Sequence, residues 1–188
     1  MLLVKEQILQ RKEAIYLYIF LFCTYSFMGW IWEVALFIFV DKGFVNRGFL
    51  HGPWLPIYGV CGVLFLLLLR RWKQKPVLVF CLTLALVAAI EYISAWTLDT
   101  IYQTRWWDYS HYPLNLHGYI TLPVLLLFTA GGVWSIYWLT PKLSMMFAKI
   151  PKQIKIPLLT ILILMFILDL SVSLIQPNIS EGNIFPVP

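Results

Sequence analysis

Three carboxyl-bearing residues interrupt otherwise apolar stretches of this sequence: Glu33, Glu91 and Asp169. Such a group in apolar surroundings is costly unless it faces a protein interior, a counter-charge or water, so it marks a site by default. Counted along their stretches, all three lie on the same side of the middle, about 5–8 Å from it at 1.5 Å rise per residue. Arg47, His51, Arg105 and His117 follow in the connections just beyond that level. The set predicts a polar chamber with an acidic floor and a basic, aromatic roof of Trp54, Trp106, Trp107 and Tyr109, to which Asn46, Asp108 and Asn115 add polar groups. Glu33 or Glu91 beside His51 or His117 has the composition of a general base. Plainer readings stand beside this one. Glu33–Arg47 and Glu91–Arg105 read equally as ion pairs that hold the connections on the helices. Trp106 and Trp107 suit an interfacial aromatic belt, and the histidines suit satisfied loop positions. Asp108, Ser110 and His111 are neighbours in sequence and do not make a hydrolytic triad.

The elements that carry these residues follow from composition. The 188 residues are 61% hydrophobic and 12% charged, far from the half-apolar, quarter-charged norm of soluble domains. A membrane-crossing helix needs about 20 consecutive, mostly apolar residues. Four blocks meet or approach that length, at Ile15–Val40, Val77–Leu98, Gly118–Leu139 and Ile156–Ile175, and Leu55–Leu69 is a shorter fifth. Runs such as Leu66–Leu69 lack the alternation of barrel strands. The expected fold is therefore all-α: one polytopic helix bundle, residues 1–188, with five spans. Eleven of fourteen basic residues fall before the first block, between the second and third, and between the fourth and fifth, leaving Lys42, Arg47 and Arg105 for the other side. The positive-inside rule then puts the N-terminus in the cytoplasm and the C-terminus outside. The first block is too long for the apolar core of a signal peptide and reads as a retained span.

Cys23, Cys61 and Cys81 all fall inside blocks and read as small buried hydrophobes. No C-x-x-C, H-E-x-x-H or phosphate-loop spacing is present. No metal or cofactor is expected, and the placement of the charges favours anionic headgroups over nucleic acid.

The two outer connections resemble each other. Each follows a block with a glutamate in its outer half, and each ends in Leu-His-Gly, at Leu50–Gly52 and at Leu116–Gly118. Spans one–two and three–four thus read as a parallel repeat, the fifth being unpaired. Pro53, Pro56, Gly59 and Gly62 crowd the outer end of the short second block, so the loop before it is expected to dip into the membrane, with Tyr112–Leu116 doing the same in the other half. Such backbone must be buried in protein or line a wet cavity. Pro141–Lys155, with apolar residues among its lysines, suits an amphipathic segment on the inner surface or a docking site for a partner.

Asn46–Pro53 followed by Tyr58-Gly59, and Arg105–Ser110 followed by Asn115-Leu116 and Gly118, resemble the ABC-transporter type IV family, also called CmpB-like. A more distant similarity runs to vertebrate transmembrane protein 229, through Trp107–Ser110 and Gly118–Leu122. The resemblance covers roughly residues 26 to 128 and includes the positions of both glutamates. The chain departs from it where the family usually reads Asn-Leu-Asn-Gly-Arg-Ile, having His117 and Tyr119 instead. The resemblance implies a permease component of the cell membrane. Its partners would be lipid, a second copy or other transporter subunits, and a small polar or amphiphilic solute. The alternatives are an integral membrane enzyme acting on a lipid-linked substrate, for which no catalytic spacing is recognisable, and a structural or assembly protein.

Overall fold

The computed structural model describes the backbone of residues 2–40 and 43–184, and side chains from residue 11 onward within those ranges. Lys5 and Lys42, counted in the charge asymmetry, lie outside the described side chains. The order is α1 (Leu2–Phe39), α2 (Pro56–Leu64), α3 (Pro76–Tyr102), β1 (Asn115–Leu116), β2 (Ile120–Thr121), α4 (Leu122–Trp134), α5 (Thr140–Ala148) and α6 (Lys152–Ile175). Four helical stretches are long and apolar enough to cross a membrane: Arg11–Phe39, Pro76–Tyr102, Leu122–Ala148 and Lys152–Ile175. The fifth expected span is not among them. α2 continues through a π turn at Phe65–Leu69 and a 3₁₀ turn at Arg70–Trp72, which makes it about 26 Å long if every residue rises 1.5 Å.

Helix starts follow proline, which fixes φ and lacks an N–H that a first turn cannot use. Pro56 opens α2 and Pro76 opens α3. Pro141 behaves differently. The expected break there does not occur, because α4 runs through a π turn at Ser135–Leu139 directly into α5. A proline inside a helix removes one backbone bond and crowds the preceding turn, and a widened turn accommodates both. The Tyr25 hydroxyl reaches this bulge, bonding Ser135 Oγ and Thr140 Oγ1. The segment expected to lie flat on the inner surface is therefore mostly the end of a long helix.

The interior is built from stripes. On α3 the buried residues are Val79, Thr83, Val87, Glu91 and Ala95, every fourth position, and neighbours four apart share a helix face. On α6, Leu159, Phe166 and Ser173 turn inward while Leu164, Leu168 and Ile175 are exposed. α1 meets α2, α5 and α6, and α3 packs on α2 and α4. One core cluster joins Phe65, Leu69, Val79, Val87, Leu125 and Ile136; another joins Cys23, Leu50, Trp54 and Phe166.

A small antiparallel hairpin qualifies the all-α expectation. Asn115 pairs with Thr121 and Leu116 with Ile120, and His117 and Gly118 both take the left-handed conformation, with φ of 55° and 73°. Two such residues form the tight turn that suits the strand twist. His51 and Gly52 do not adopt it, so the shared Leu-His-Gly tripeptides fold differently. Tyr112, Leu114 and Leu116 are exposed, the opposite of what a segment buried at membrane depth requires. The first connection is packed inside protein: Val45, Arg47, Leu50, Trp54 and Leu55 are all buried.

Candidate functional site

The α3 stripe turns Glu91 inward, and its residue is 3% exposed. Its Oε1 accepts a hydrogen bond from the Tyr109 hydroxyl at 3.3 Å. Its Oε2 is buried and has no hydrogen-bond partner among the described residues. Glu33 on α1 accepts from the Tyr58 hydroxyl at 3.1 Å through Oε1, and from Arg47 Nε at 3.3 Å through Oε2. Gly29 explains how Tyr58 gets there: a Cβ at that position would collide with the tyrosine ring, so the small residue lets α1 and α2 close up. Tyr109 donates to Glu91 and also feels the charge of Glu33. Burial pushes its hydroxyl well above the usual tyrosine range, and the charges of Glu91 and then Glu33 push it further. It therefore stays a protonated donor to Glu91.

Arg47 is the second organiser. It is 3% exposed, yet each of its three guanidinium nitrogens is used. Besides Glu33 it bonds the Asn183 carbonyl at 3.0 Å, the Asn183 side-chain oxygen at 3.2 Å and the Trp106 carbonyl at 2.9 Å, and its guanidinium lies 4.1 Å from the centre of the Phe37 ring. The segment after α6 folds back over the first connection. Asn178 Nδ2 bonds the carbonyls of Asn46, Gly48 and Leu50. Asn183, fully buried, exchanges bonds with Gly48 N and Gly48 O at 2.9 Å each. The Trp106 ring nitrogen bonds the Asn178 carbonyl at 2.9 Å.

The expected Glu91–Arg105 pair is not formed. Arg105 turns away to Asp99 at 2.9 Å and Asp108 at 3.1 Å, with its guanidinium 4.9 Å from the centre of the Tyr119 ring. The reason is local. Asp99, one turn before the end of α3, is closer along the chain than Glu91, and the Gly118 turn leaves just enough room: a Cβ there would strike Ser110, Asp108 and Arg105. Burial tends to raise the Asp108 carboxyl, but hydrogen bonds from Ser110 and the charge of Arg105 outweigh it and hold it below the usual range.

The remaining expected residues scatter. Asp169 does not join Glu33 and Glu91. It caps the first connection, accepting from the backbone N–H groups of His51 at 3.1 Å and Gly52 at 2.9 Å. The His51 ring bonds the Gln176 carbonyl, and the His117 ring bonds the Tyr92 hydroxyl. Asn46 accepts from the Trp30 ring nitrogen and donates to the His51 carbonyl. Trp107 donates to the Tyr119 carbonyl, and Asn115 closes its own turn through Ser110 and Tyr112. Neither histidine bonds a glutamate, so the geometry does not assemble the base pair that the composition allowed. Two grooves on the described surface, one beside Arg70 and Arg71 and one beside Lys142 and Lys149, both lie away from Glu33 and Glu91.

A model of the family described as "Putative ABC-transporter type IV" matches residues 20–174, well over half of the chain. The chain belongs to this family. No curated protein and no solved structure matches it significantly. The family region of this ABC-transporter type IV member includes the connections after α1 and after α3 together with Glu33, Glu91 and Asp169, and stops short of Asn178 and Asn183. Sequence reasoning missed Asp99 and those two asparagines. Asp99 carried a signal, an acid six residues before Arg105 at a helix end. The asparagines carried none that composition or spacing would expose.

Proposed function

We propose that this chain is a permease-like, substrate-capturing membrane subunit, crossing the bilayer five times with its N-terminus on the basic, cytoplasmic side. The pseudo-repeat of its first four spans would bring Glu33 and Glu91 to one level beneath the outer connections. One observation carries the reading: a buried Glu91 oxygen without a donor, beside a Glu33 whose charge Arg47 already offsets. The group therefore holds one carboxylate more than its cations balance. Such an imbalance in a low-dielectric interior calls for a donor or a positive charge. A small amine or ammonium-bearing solute supplies both.

Purified protein in proteoliposomes, probed with radiolabelled methylammonium and tetramethylammonium, tests this. Wild type is expected to bind at least one of them, Glu91→Gln to lose binding, and Glu33→Gln to weaken it. Equal binding by wild type and Glu91→Gln, or no binding by wild type, overturns the proposal. The web around Arg47, which ties α1, both connections and the C-terminal segment together, supports a second reading as a structural or assembly protein. In that case Arg47→Ala disrupts the fold while both glutamine variants leave every binding measurement unchanged. The enzyme reading has less support, since His51 and His117 are bonded elsewhere.

A further inference from the structure

The basic side carries a feature that the outer site does not use. α2 ends early, and between its last turns and α1 runs a groove of about 480 Å³, lined by Leu17, Tyr18, Leu66, Leu67, Arg70 and Arg71 together with Ala14. Two chemistries meet in it. The leucines form an apolar wall facing where acyl chains would lie, and two guanidinium groups stand at its end. Consecutive residues of a regular α-helix point about 100° apart. Here the helix passes from the Phe65–Leu69 π turn into the Arg70–Trp72 3₁₀ turn, and both arginines line one groove.

Neither arginine forms an ion pair among the described residues. The contrast with other cations on this side is sharp. Lys155 is buried and bonds Glu13 at 3.0 Å, and Lys152 reaches the same carboxylate at 3.3 Å. Those two charges are internally used; Arg70 and Arg71 are exposed and left over. Arg71 also lies 5.3 Å from the centre of the Trp72 ring, and tryptophan favours the headgroup level. A planar guanidinium is weakly hydrated and bonds phosphate oxygens in pairs, and basic pockets between helices on this side of a membrane suit anionic headgroups.

We infer that this groove is a binding site for one anionic phospholipid, its phosphate held by Arg70 and Arg71 and one acyl chain laid along Leu17, Leu66 and Leu67. The short α2 makes the site, since a longer helix would carry the arginines beyond the end of the apolar wall. This inference is independent of any solute at Glu91.

The full-length protein, delipidated in neutral detergent, is titrated with dioleoyl phosphatidylglycerol or dioleoyl phosphatidylcholine and read by native mass spectrometry and thermal unfolding. Phosphatidylglycerol is expected to be retained and to raise the midpoint, phosphatidylcholine not. The pair Arg70→Gln and Arg71→Gln is expected to weaken retention about tenfold or more, while Lys142→Gln with Lys149→Gln leaves it unchanged. Leu67→Trp keeps both charges and fills the groove, so it tests the site even if the arginine variant folds poorly; loss of retention is expected. Equal retention of the two lipids, equal loss in the lysine variant, undiminished retention in Leu67→Trp, or competition by glycerol phosphate as effective as by the lipid would each overturn the inference.

Discussion

The connection after α1 and the connection after α3 start from matching sequence and end in opposite electrostatics. Glu33 and Arg47 are fourteen residues apart, and so are Glu91 and Arg105. In the first half the pair forms, part-buried, at 3.3 Å. In the second half Arg105 is held by Asp99 and Asp108, and Glu91 keeps only the Tyr109 hydroxyl. Spacing sets which residues can meet, and in the second half two nearer carboxylates take the arginine. The position that matches Asp99 in the first half is Asp41, six residues before Arg47, and it lies outside the described residues. The outcome is one glutamate built into the scaffold and one left chemically open.

The comparison is most easily broken at Arg47. Arg47→Ala should lower stability by about 3–5 kcal/mol, because it removes a buried cation, strands a part-buried carboxylate and leaves the acceptors at Trp106 and Asn183 unpaired. The check is the thermal midpoint in detergent or nanodiscs; a loss comparable to that of an exposed arginine would mean the web is not structural. Glu33→Gln should cost less, about 1–3 kcal/mol, since the amide keeps the Tyr58 bond and loses the charge-assisted one. Glu91→Gln sharpens the contrast with a shift below about 1 kcal/mol, there being no ion pair to lose. Equal losses at the two glutamates would erase the asymmetry.

Acidification offers the smallest effect. Asp108 is held below its ordinary range, so its contribution is complete above the unfolded carboxylate value and fades as pH falls through the lower folded one. Between about pH 7 and about pH 3 the stability gap between wild type and Asp108→Asn should therefore narrow, as followed by thermal midpoint. A gap that widens would reverse the sign assigned to that carboxyl.

Much of this was legible before any coordinates. Block length and apolarity mark the helices, and the inward placement of Glu91 follows from the cost of a carboxylate among apolar residues; the stripe that carries it, Val79 to Ala95, is seen only in the structure. The Glu33–Arg47 pair was readable from charge and proximity. What failed was inference across competing partners. Arg105 had three carboxylates within reach, and sequence spacing does not rank them. Asp169 matched Glu33 and Glu91 in depth, but depth leaves the angle around the helix axis undetermined; it faces the backbone of His51 and Gly52. The uninterrupted passage through Pro141 was also hidden, since a π turn leaves no compositional trace. The asparagine closure lies 128 or more residues from the loop it seals, and no local pattern encodes a contact at that range.

That closure bears on synthesis. The Arg47 guanidinium finds one acceptor at Trp106, 59 residues later, and others at Asn183, 136 residues later. At about 5–20 residues per second a ribosome needs roughly 7–27 s to deliver the last of them. Until Trp106 follows, a cation destined for a dry interior has Glu33 for these contacts, and until Asn183 follows it lacks the remaining two acceptors. The cover over the first connection thus sets late, once residues 178–183 have followed the loop they seal.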